Sequence, residues 1–426
     1  MGVRVELLTV GDELLRGDTL NGNAGWLGRR LTEAGVQVVR DVVLPDETET
    51  ITVALQEALR RADAVIVTGG LGGTSDDVTR DALARAAGVS LRRDPDLEAR
   101  LRERAATRGV PLRESALRMA DVPEGARQLP NPAGTAPGLR VTLPGGVAYA
   151  VPGVPEEMRA IVEERVLPEL GGTPVAARVL RTATVWESVV AARLAPVEAL
   201  SGVRIAYYPS PGEVRVRIEA DTEDRAAEAA AMARDLLGAA VYAEEDVGLD
   251  RVVHRLLAER NATVAVAESL TGGLLGAELT GMPGSSATFL GGVVAYATPL
   301  KNVLLGVPAD LLAAHGAVHP DVAAAMAAGV RERLGASYGL AVTGVAGPDP
   351  QDGQPVGTVH VAVAGSGEHP TVRSVRLPVA GEGERARGPI RRMTVVHALD
   401  LLRRHLLTLE SSESWAVTAG DREEPG

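Results

Sequence analysis

The residues that could do acyl-transfer chemistry lie in the C-terminal third of the chain. Ser269 is part of AESLTGG, directly after the strand-like run TVAVA, so its hydroxyl is expected at a strand-to-helix turn beside backbone N–H groups. Lys301 is the only lysine among 44 basic residues, and a buried lysine amine can lose its proton and act as a base. Serine is also a common helix cap, and drift could leave one lysine, so neither residue decides the matter alone.

Two further segments support a site around Ser269. Tyr296 ends the apolar run GGVVAY and could relay a proton or orient the Lys301 amine, although a packing role is nearly as good an interpretation. The glycine-rich segment TGVAGP follows another apolar run and suits a phosphate or a ribose, which makes Thr343 and Gly344 candidate substrate contacts.

The chemistry predicted for this set is acyl transfer through an acyl-enzyme. Neutral Lys301 takes the proton of Ser269, which attacks a carbonyl carbon. Glu268 would raise the pKa of a nearby amine, so its side chain is expected to point away from Lys301. The oxyanion is expected to be held by backbone N–H groups of Thr271, Gly272 and Gly273.

Acidic residues follow the predicted strands of the first 80 residues. The first strand ends before Asp12 and Glu13, the second before Asp46, and the third enters GGLGGTSDDVT at 69–79. In a parallel sheet these three ends meet at one edge, where carboxylates beside a glycine-rich loop suit a Mg²⁺–phosphate site, although a helix cap also explains one acid. The candidate metal ligands are Asp12, Glu13, Asp46, Asp76 and Asp77. The candidate substrate contacts are Gly69, Gly70 and Thr74.

The order of strands and helices predicts an α/β protein with three folded parts and a tail. Residues 1–172 alternate strand and helix, which indicates a doubly wound, mostly parallel sheet. Residues 173–247 indicate a small α+β module with a KH-like build, and residues 248–409 indicate a second α/β domain. The segment 410–426 has weak periodicity and is predicted to be disordered.

Composition excludes several classes of function. The net charge of −12 argues against a direct grip on nucleic acid. The 173–247 module has no GXXG loop and carries 12 acids against 8 arginines, so a spacer or dimerisation role is favoured over RNA binding. With no cysteine, no apolar run of membrane-spanning length and acids near the N-terminus, the chain is expected to be cytoplasmic, without a membrane partner.

The N-terminal motifs resemble the CinA family, whose first domain is related to molybdopterin-binding proteins. The matching segments are GDELLRG, TGGLGGTSDDVT, NPAGTAPG and PGVPEEM. The resemblance implies a metal-dependent pyrophosphatase acting on ADP-ribose, with the metal and nucleotide roles falling on Asp46 and Asp77. It also makes Asn131 a candidate substrate contact, although an NPxG turn is structural more often than not.

The C-terminal motifs resemble the second domain of the same family, which also exists alone as nicotinamide-nucleotide amidase. The matching segments are AESLTGG, PGSS, GGVVAY, LKNVLLGV, HGAV, TGVAGP and PVGTV. The resemblance implies a catalytic Ser269, Tyr296 and Lys301, and a threonine role for Thr343. The arginines expected to clamp the substrate phosphate are Arg387 and Arg391, with Arg385 as an alternative to Arg387.

Together these features predict a bifunctional hydrolase of pyridine-nucleotide salvage. One site would convert nicotinamide mononucleotide to nicotinic acid mononucleotide and ammonia without a cofactor, and the other would cleave ADP-ribose with a divalent metal such as Mg²⁺. The alternatives are a scaffold associated with competence or DNA damage, and an N-terminal domain that binds a nucleotide or pterin without turnover. The resemblance also implies a homodimer.

Overall fold

The computed structural model describes residues 2–107, 109, 113–172, 175–367, 369–378 and 384–407. The chain divides into two compact units, Met1–Val175 and Ala176–Gly426. The segment 410–426, predicted to be disordered, lies outside the described residues. Within the described ranges, no helix is long and apolar enough to cross a membrane.

The first unit is built on a six-stranded sheet with the order β2-β1-β3-β8-β7-β6. The strands of the whole unit are β1 (Arg4–Val10), β2 (Gln37–Leu44), β3 (Ala64–Thr68), β4 (Leu91–Arg93), β5 (Asp121–Pro123), β6 (Arg127–Leu129), β7 (Gly138–Leu143) and β8 (Gly146–Val151), of which β4 and β5 lie outside this sheet. Its helices are α1 (Asp12–Arg16), α2 (Gly22–Glu33), α3 (Thr48–Ala58), α4 (Thr79–Ala87), α5 (Pro95–Thr107), α6 (Pro155–Ile161) and α7 (Leu167–Leu170). Strands β2, β1, β3 and β8 are parallel, and β7 and β6 are antiparallel.

Helices cover both faces of this sheet, because apolar residues of the central strands point alternately to either side. Leu8 and Val67 belong to the core that includes α3 and α4, whereas Leu7 and Ile66 belong to the core that includes α2 and α6. The predicted doubly wound, mostly parallel sheet is confirmed.

The second unit begins with a small antiparallel module of the order β10-β11-β9-β12. Its elements are β9 (Ala176–Ala183), α8 (Glu187–Glu198), β10 (Val203–Ser210), β11 (Glu213–Ala220), α9 (Glu223–Leu237) and β12 (Val241–Ala243). Strand β11 alternates strictly, and its buried residues Val214, Val216 and Ile218 share a core with α8 and α9.

The same unit continues into a five-stranded sheet with the order β14-β13-β15-β16-β17. Its strands are β13 (Val264–Glu268), β14 (Phe289–Val294), β15 (Tyr338–Gly344), β16 (Thr358–Ala364) and β17 (Thr371–Arg376). Its helices are α10 (Leu249–Glu259), α11 (Leu274–Thr280), α12 (Thr298–Leu305), α13 (Ala309–His315), α14 (Pro320–Leu334) and α15 (Glu384–Leu406). Strands β14, β13 and β15 are parallel, and β16 and β17 are antiparallel.

The two faces of this sheet differ in side-chain size. Valines and leucines pack against α10 and α15, whereas alanines such as Ala267 and Ala341 pack against α12 and α14. Small residues let these helices approach the sheet closely. Helix α15 begins at Glu384, so Arg387 and Arg391 lie one turn apart on one helix face.

Candidate active site

A serine hydroxyl and a lysine amine meet at the end of β13. Ser269 follows the last residue of β13, and its backbone N–H donates to the Val342 carbonyl on β15. The chain then leaves the sheet, so the Ser269 side chain lies at a strand-to-helix turn. Lys301, on α12, places its Nζ 3.0 Å from Ser269 Oγ. This distance is within the range for direct proton transfer.

The Lys301 amine is fully buried and has three oxygen neighbours. Besides Ser269 Oγ, its Nζ donates to the backbone carbonyls of Ala295 at 2.8 Å and of Tyr296 at 3.5 Å. A neutral amine carries two N–H bonds and one lone pair, so when the carbonyls accept the N–H bonds the lone pair faces the Ser269 hydroxyl. Burial lowers the pKa of Lys301 to about 8, and the Asp352 carboxylate opposes that shift. The amine can therefore act as a base near neutral pH.

Glu268 lies on the opposite face of β13 from its neighbour Ser269, because successive side chains of a strand alternate. Its buried carboxylate caps the start of α11 and points away from Lys301, as expected. The backbone N–H groups that donate to it are those of Gly273, Leu275 and Gly276, at 3.0, 3.0 and 2.8 Å.

The loop after Ser269 uses most of its backbone groups internally. The N–H of Gly272 donates to the Ser269 carbonyl at 3.0 Å, and the N–H of Gly273 donates to the Glu268 carboxylate. Two of the three predicted oxyanion donors, Gly272 and Gly273, are therefore occupied. Positive φ angles of 57° and 97° let these two glycines make the turn. Among the described residues, nothing accepts from the N–H of Thr271 or from the N–H of Leu270. Thr271 was one of the predicted donors, whereas Leu270 was not.

Arg391 and Thr271 have surroundings that the sequence did not indicate. The Arg391 guanidinium donates from Nε to the Leu270 carbonyl at 3.1 Å and from Nη2 to the Thr271 carbonyl at 2.5 Å. The Thr271 hydroxyl is buried and has no hydrogen-bond partner within the described part of the chain. Arg391 therefore holds the loop that carries Ser269.

Tyr296 and Arg387 contact each other away from the buried amine. The Tyr296 side chain is 56% exposed, and its hydroxyl accepts from Arg387 Nη2 at 2.5 Å. Arg387 Nη1 also donates to the Gly347 carbonyl at 2.7 Å. The amine of Lys301 is oriented by backbone carbonyls and not by the phenol, which corrects one of the two roles predicted for Tyr296. Arg385 is exposed, so Arg387 is the arginine that the structure brings to this site.

Thr343 and Gly344 shape the wall beside Ser269. The Thr343 hydroxyl donates to the Ala317 carbonyl at 2.7 Å, and the Asp352 carboxylate accepts from the Ala317 N–H at 2.6 Å. A Cβ on Gly344 would lie 2.5 Å from the Thr358 carbonyl oxygen, so only glycine permits this approach of β15 and β16. Asp352, which no sequence pattern singles out, thus ties a neighbouring loop to the site.

In the first unit, the glycine-rich loop after β3 is built around Asp77. The Asp77 carboxylate accepts from the backbone N–H groups of Gly72 and Thr74 at 2.6 and 2.8 Å, and from the Thr74 hydroxyl at 2.5 Å. Gly69 has a φ of 103°, and a Cβ there would lie 2.3 Å from the Val10 carbonyl oxygen. Asp77 and Thr74 therefore hold the loop in shape, and neither points freely to a ligand.

The same loop has a basic residue beneath it that the sequence did not indicate. Arg80 is buried, and its guanidinium donates to the carbonyls of Leu71 and Gly72 at 2.5 and 3.1 Å. Gly70 accepts at its carbonyl from the Thr79 N–H at 3.2 Å. The carbonyls of Gly70, Leu71 and Gly72 are thus bonded within the protein, and Arg80 helps to hold the loop in shape.

The acids at the sheet edge come together, as predicted. Asp12 and Asp46 accept each other's backbone N–H, with distances of 2.9 Å to the Asp46 carboxylate and 3.4 Å to that of Asp12. Burial raises the pKa of Asp46, and the charges of Asp12, Glu13 and Asp76 raise it further. Within the described ranges, no three acids or histidines converge on one metal-sized point as the side chains stand.

Asn131 lies in its predicted NPxG turn and serves that turn. Its Nδ2 donates to the Ala136 carbonyl at 2.8 Å and to the Glu157 carboxylate at 2.5 Å, and its Oδ1 accepts from the Ala133 N–H at 3.1 Å. These bonds engage both polar atoms of the amide, so Asn131 has a structural role instead of the substrate contact suggested by resemblance.

Three family models match the chain in sequence order. A probable molybdopterin binding domain matches residues 6–172, a damage-inducible protein CinA KH domain matches residues 177–243, and a CinA C-terminal domain matches residues 246–406.

Relatives match over nearly the whole length. A CinA-like protein of Frankia casuarinae is 52% identical over 98% of this chain and 99% of its own length, and one of Gemmatimonas aurantiaca is 42% identical over 94% and 96%. A crystal structure titled as the protein CinA with unknown function, from Thermoplasma acidophilum, is 37% identical, with a TM-score of 0.37, over 40% of this chain and 98% of its own. The chain belongs to the CinA family.

Proposed function

We propose that this member of the CinA family is a serine-type amidohydrolase whose C-terminal site deamidates nicotinamide mononucleotide. The observation that carries the proposal is the buried Lys301 amine, 3.0 Å from Ser269 Oγ and held by two backbone carbonyls. A lysine without a carboxylate partner in a buried site is costly to keep for stability alone, and its lowered pKa suits a general base.

The first half of the reaction forms an acyl-enzyme. Ser269 Oγ bonds to the carboxamide carbon while its proton passes to Lys301 Nζ, and the carbonyl oxygen becomes an oxyanion held by backbone N–H groups of the loop. The C–N bond then breaks as Lys301 returns the proton to the amide nitrogen, which leaves as ammonia. Ser269 is left as an ester of nicotinic acid mononucleotide.

The second half releases the acid. Water attacks the ester carbon, its proton passes to Lys301, and the C–O bond to Ser269 breaks as the serine recovers a proton. For each amide and water consumed, the products are one carboxylate and one ammonium ion, because ammonia takes up the proton that the carboxylic acid loses. None of these steps uses a metal or an organic cofactor.

The choice of a mononucleotide rests on family resemblance and on charge beside the pair. Arg387, four residues before Arg391 on α15, donates to the Tyr296 hydroxyl, and its guanidinium fork suits a phosphate. A neutral carboxamide without a phosphate would gain nothing from this charge.

The test is ammonia release from nicotinamide mononucleotide by wild type and by Lys301→Arg. Arginine keeps the charge but cannot act as a base near neutral pH. We expect wild type to turn over and the folded variant to lose at least about a hundredfold in kcat. Ser269→Ala should be equally inactive, whereas Ser366→Ala, at an exposed position outside the matching motifs, serves as the matched control and should keep the wild-type rate. An active Lys301→Arg would require another base, and an inactive wild type would favour the scaffold alternative.

We also propose that the N-terminal site hydrolyses ADP-ribose with a divalent metal. Support comes from the raised pKa of Asp46 beside three other carboxylates, because bound Mg²⁺ would relieve this repulsion. The side chains of these acids do not converge on one point as they stand.

Hydrolysis of the ADP-ribose pyrophosphate bond with and without chelator tests this second proposal. We expect ADP-ribose hydrolysis in Mg²⁺ that EDTA abolishes, and loss of that activity in Asp46→Asn. The glycine-rich loop should remain intact in that variant, because Asp77 and not Asp46 holds it. Binding of ADP-ribose or a pterin without turnover would support the binding-only alternative.

The remaining partner expectations are proposals as well. We propose a homodimer without direct nucleic-acid contact. Light scattering on the full chain tests the homodimer, and a duplex-DNA binding titration at low salt tests the absence of nucleic-acid contact. A monomer or a tight DNA complex would contradict them.

A further inference from the structure

The loop that carries Ser269 is held by a charged side chain that is distant in the sequence and belongs to the last helix, α15. Arg391 lies on α15, yet its Nε and Nη2 donate to the consecutive carbonyls of Leu270 and Thr271. Both bonds use one edge of the planar guanidinium, the edge that would otherwise grip a phosphate with two parallel bonds. Arg391 is thus committed to the backbone beside the nucleophile.

The geometry of the peptide group turns this grip into an orientation of N–H groups. In a trans peptide the C=O and N–H bonds point in opposite directions. Because the Leu270 carbonyl is drawn to Arg391, the N–H of Thr271 in the same peptide points away from Arg391. The Ser269 carbonyl accepts from Gly272 N–H, which likewise turns the N–H of Leu270 outward.

These two N–H groups are the ones left for a ligand. In the part of the chain that the structure describes, no protein group accepts from the N–H of Leu270 or Thr271, whereas those of Gly272 and Gly273 are occupied. The N–H of the residue after a nucleophilic serine is a common oxyanion donor. A carbonyl bonded to a cation also polarises its own peptide, which strengthens the N–H as a donor.

We infer that Arg391 is a positioning residue that orients the Thr271 N–H, which forms the oxyanion hole together with the Leu270 N–H, and that Arg391 does not hold the substrate phosphate. The inference rests on the proposed amidase function. The two arginines of α15 then have different roles, because Arg387 contacts the substrate phosphate and Arg391 acts through the loop that carries Ser269.

Two substrates separate these roles. Nicotinamide mononucleotide and nicotinamide riboside share the reacting carboxamide, but only the first has a phosphate. Arg391→Lys keeps the charge and loses the two-pronged grip, so we expect kcat to fall about tenfold or more on both substrates, with KM changed by less than about twofold. Arg387→Lys should instead raise KM for the mononucleotide and leave the riboside unaffected.

Two further variants control for a general effect of the substitution and for unfolding. Arg392→Lys makes the same change at the adjacent exposed position of α15 and should behave as wild type. Arg391→Gln, whose amide can still donate to one carbonyl, should retain an intermediate kcat if Arg391→Lys unfolds. A raised KM for the mononucleotide alone, with kcat preserved in Arg391→Lys, would overturn the inference.

A serine-directed fluorophosphonate makes the test independent of the natural substrate. Its adduct places a phosphonyl oxygen where the oxyanion would lie, so Ser269 should be labelled in wild type and about tenfold more slowly in Arg391→Lys. Equal labelling rates would refute the positioning role. Labelling of wild type without ammonia release would refute the proposed substrate but leave the role of Arg391 standing.

Discussion

Ammonia release should rise with pH through the pKa of Lys301. The base is active only when its amine is neutral, and burial lowers its pKa to about 8. About one amine in ten is then neutral at pH 7, about half at pH 8 and about nine in ten at pH 9. If proton transfer from Ser269 limits the rate, kcat should therefore rise about tenfold from pH 7 to pH 9 and level off above.

The assay is kcat for ammonia release at saturating nicotinamide mononucleotide, with an enzyme-free blank at each pH. Saturation removes effects of pH on binding, and nicotinamide riboside, which has no phosphate to titrate, provides a second profile with the same midpoint. Lys301→Arg should stay near the blank at every pH. A wild-type profile that is flat from about pH 7 to pH 9, or that falls as pH rises, would refute the assignment of a neutral lysine base.

Two further substitutions test the surroundings of the Ser269–Lys301 pair, and a third tests the buried ion pairs of Asp400. Glu268→Gln removes the buried carboxylate that accepts three backbone N–H groups, so we expect about 2 kcal/mol or more of lost stability in thermal unfolding and a lower kcat. An unchanged melting temperature and kcat would contradict this. Asp352→Asn keeps a hydrogen-bond acceptor but removes the negative charge that raises the pKa of Lys301, so the midpoint of the pH–kcat profile should move to lower pH. A midpoint at higher pH would contradict this role of Asp352. Asp400→Asn removes a fully buried carboxylate that forms ion pairs with three arginines, so the free energy of unfolding should fall by about 3–5 kcal/mol. A wild-type melting temperature in this variant would disprove the expectation.

The sequence predicted the elements that position the sites because their patterns are local. Apolar runs followed by glycine-rich turns predicted where β3 and β13 end, and parallel pairing then brought the acids Asp12 and Asp46 to one edge. The identity of Lys301 as the sole lysine pointed to the residue that lies beside Ser269.

The partners of each side chain could not be predicted in the same way. Arg391 was assigned to a phosphate because its type suits one, yet its partners are two backbone carbonyls whose direction depends on the exact path of a distant loop. Asp77 was assigned to a metal for the same reason, but it closes a turn only a few residues away. Asp352 lies in PQDGQP, which has no periodicity and no motif to indicate it.

The most direct test of the account is mass spectrometry of the enzyme quenched during turnover of nicotinamide mononucleotide. We predict a transient adduct with the mass of the nicotinic acid mononucleotide acyl group on the peptide that contains Ser269, and its absence from Ser269→Ala together with loss of ammonia release. Turnover that continues in Ser269→Ala, or an adduct on another residue, would contradict the account.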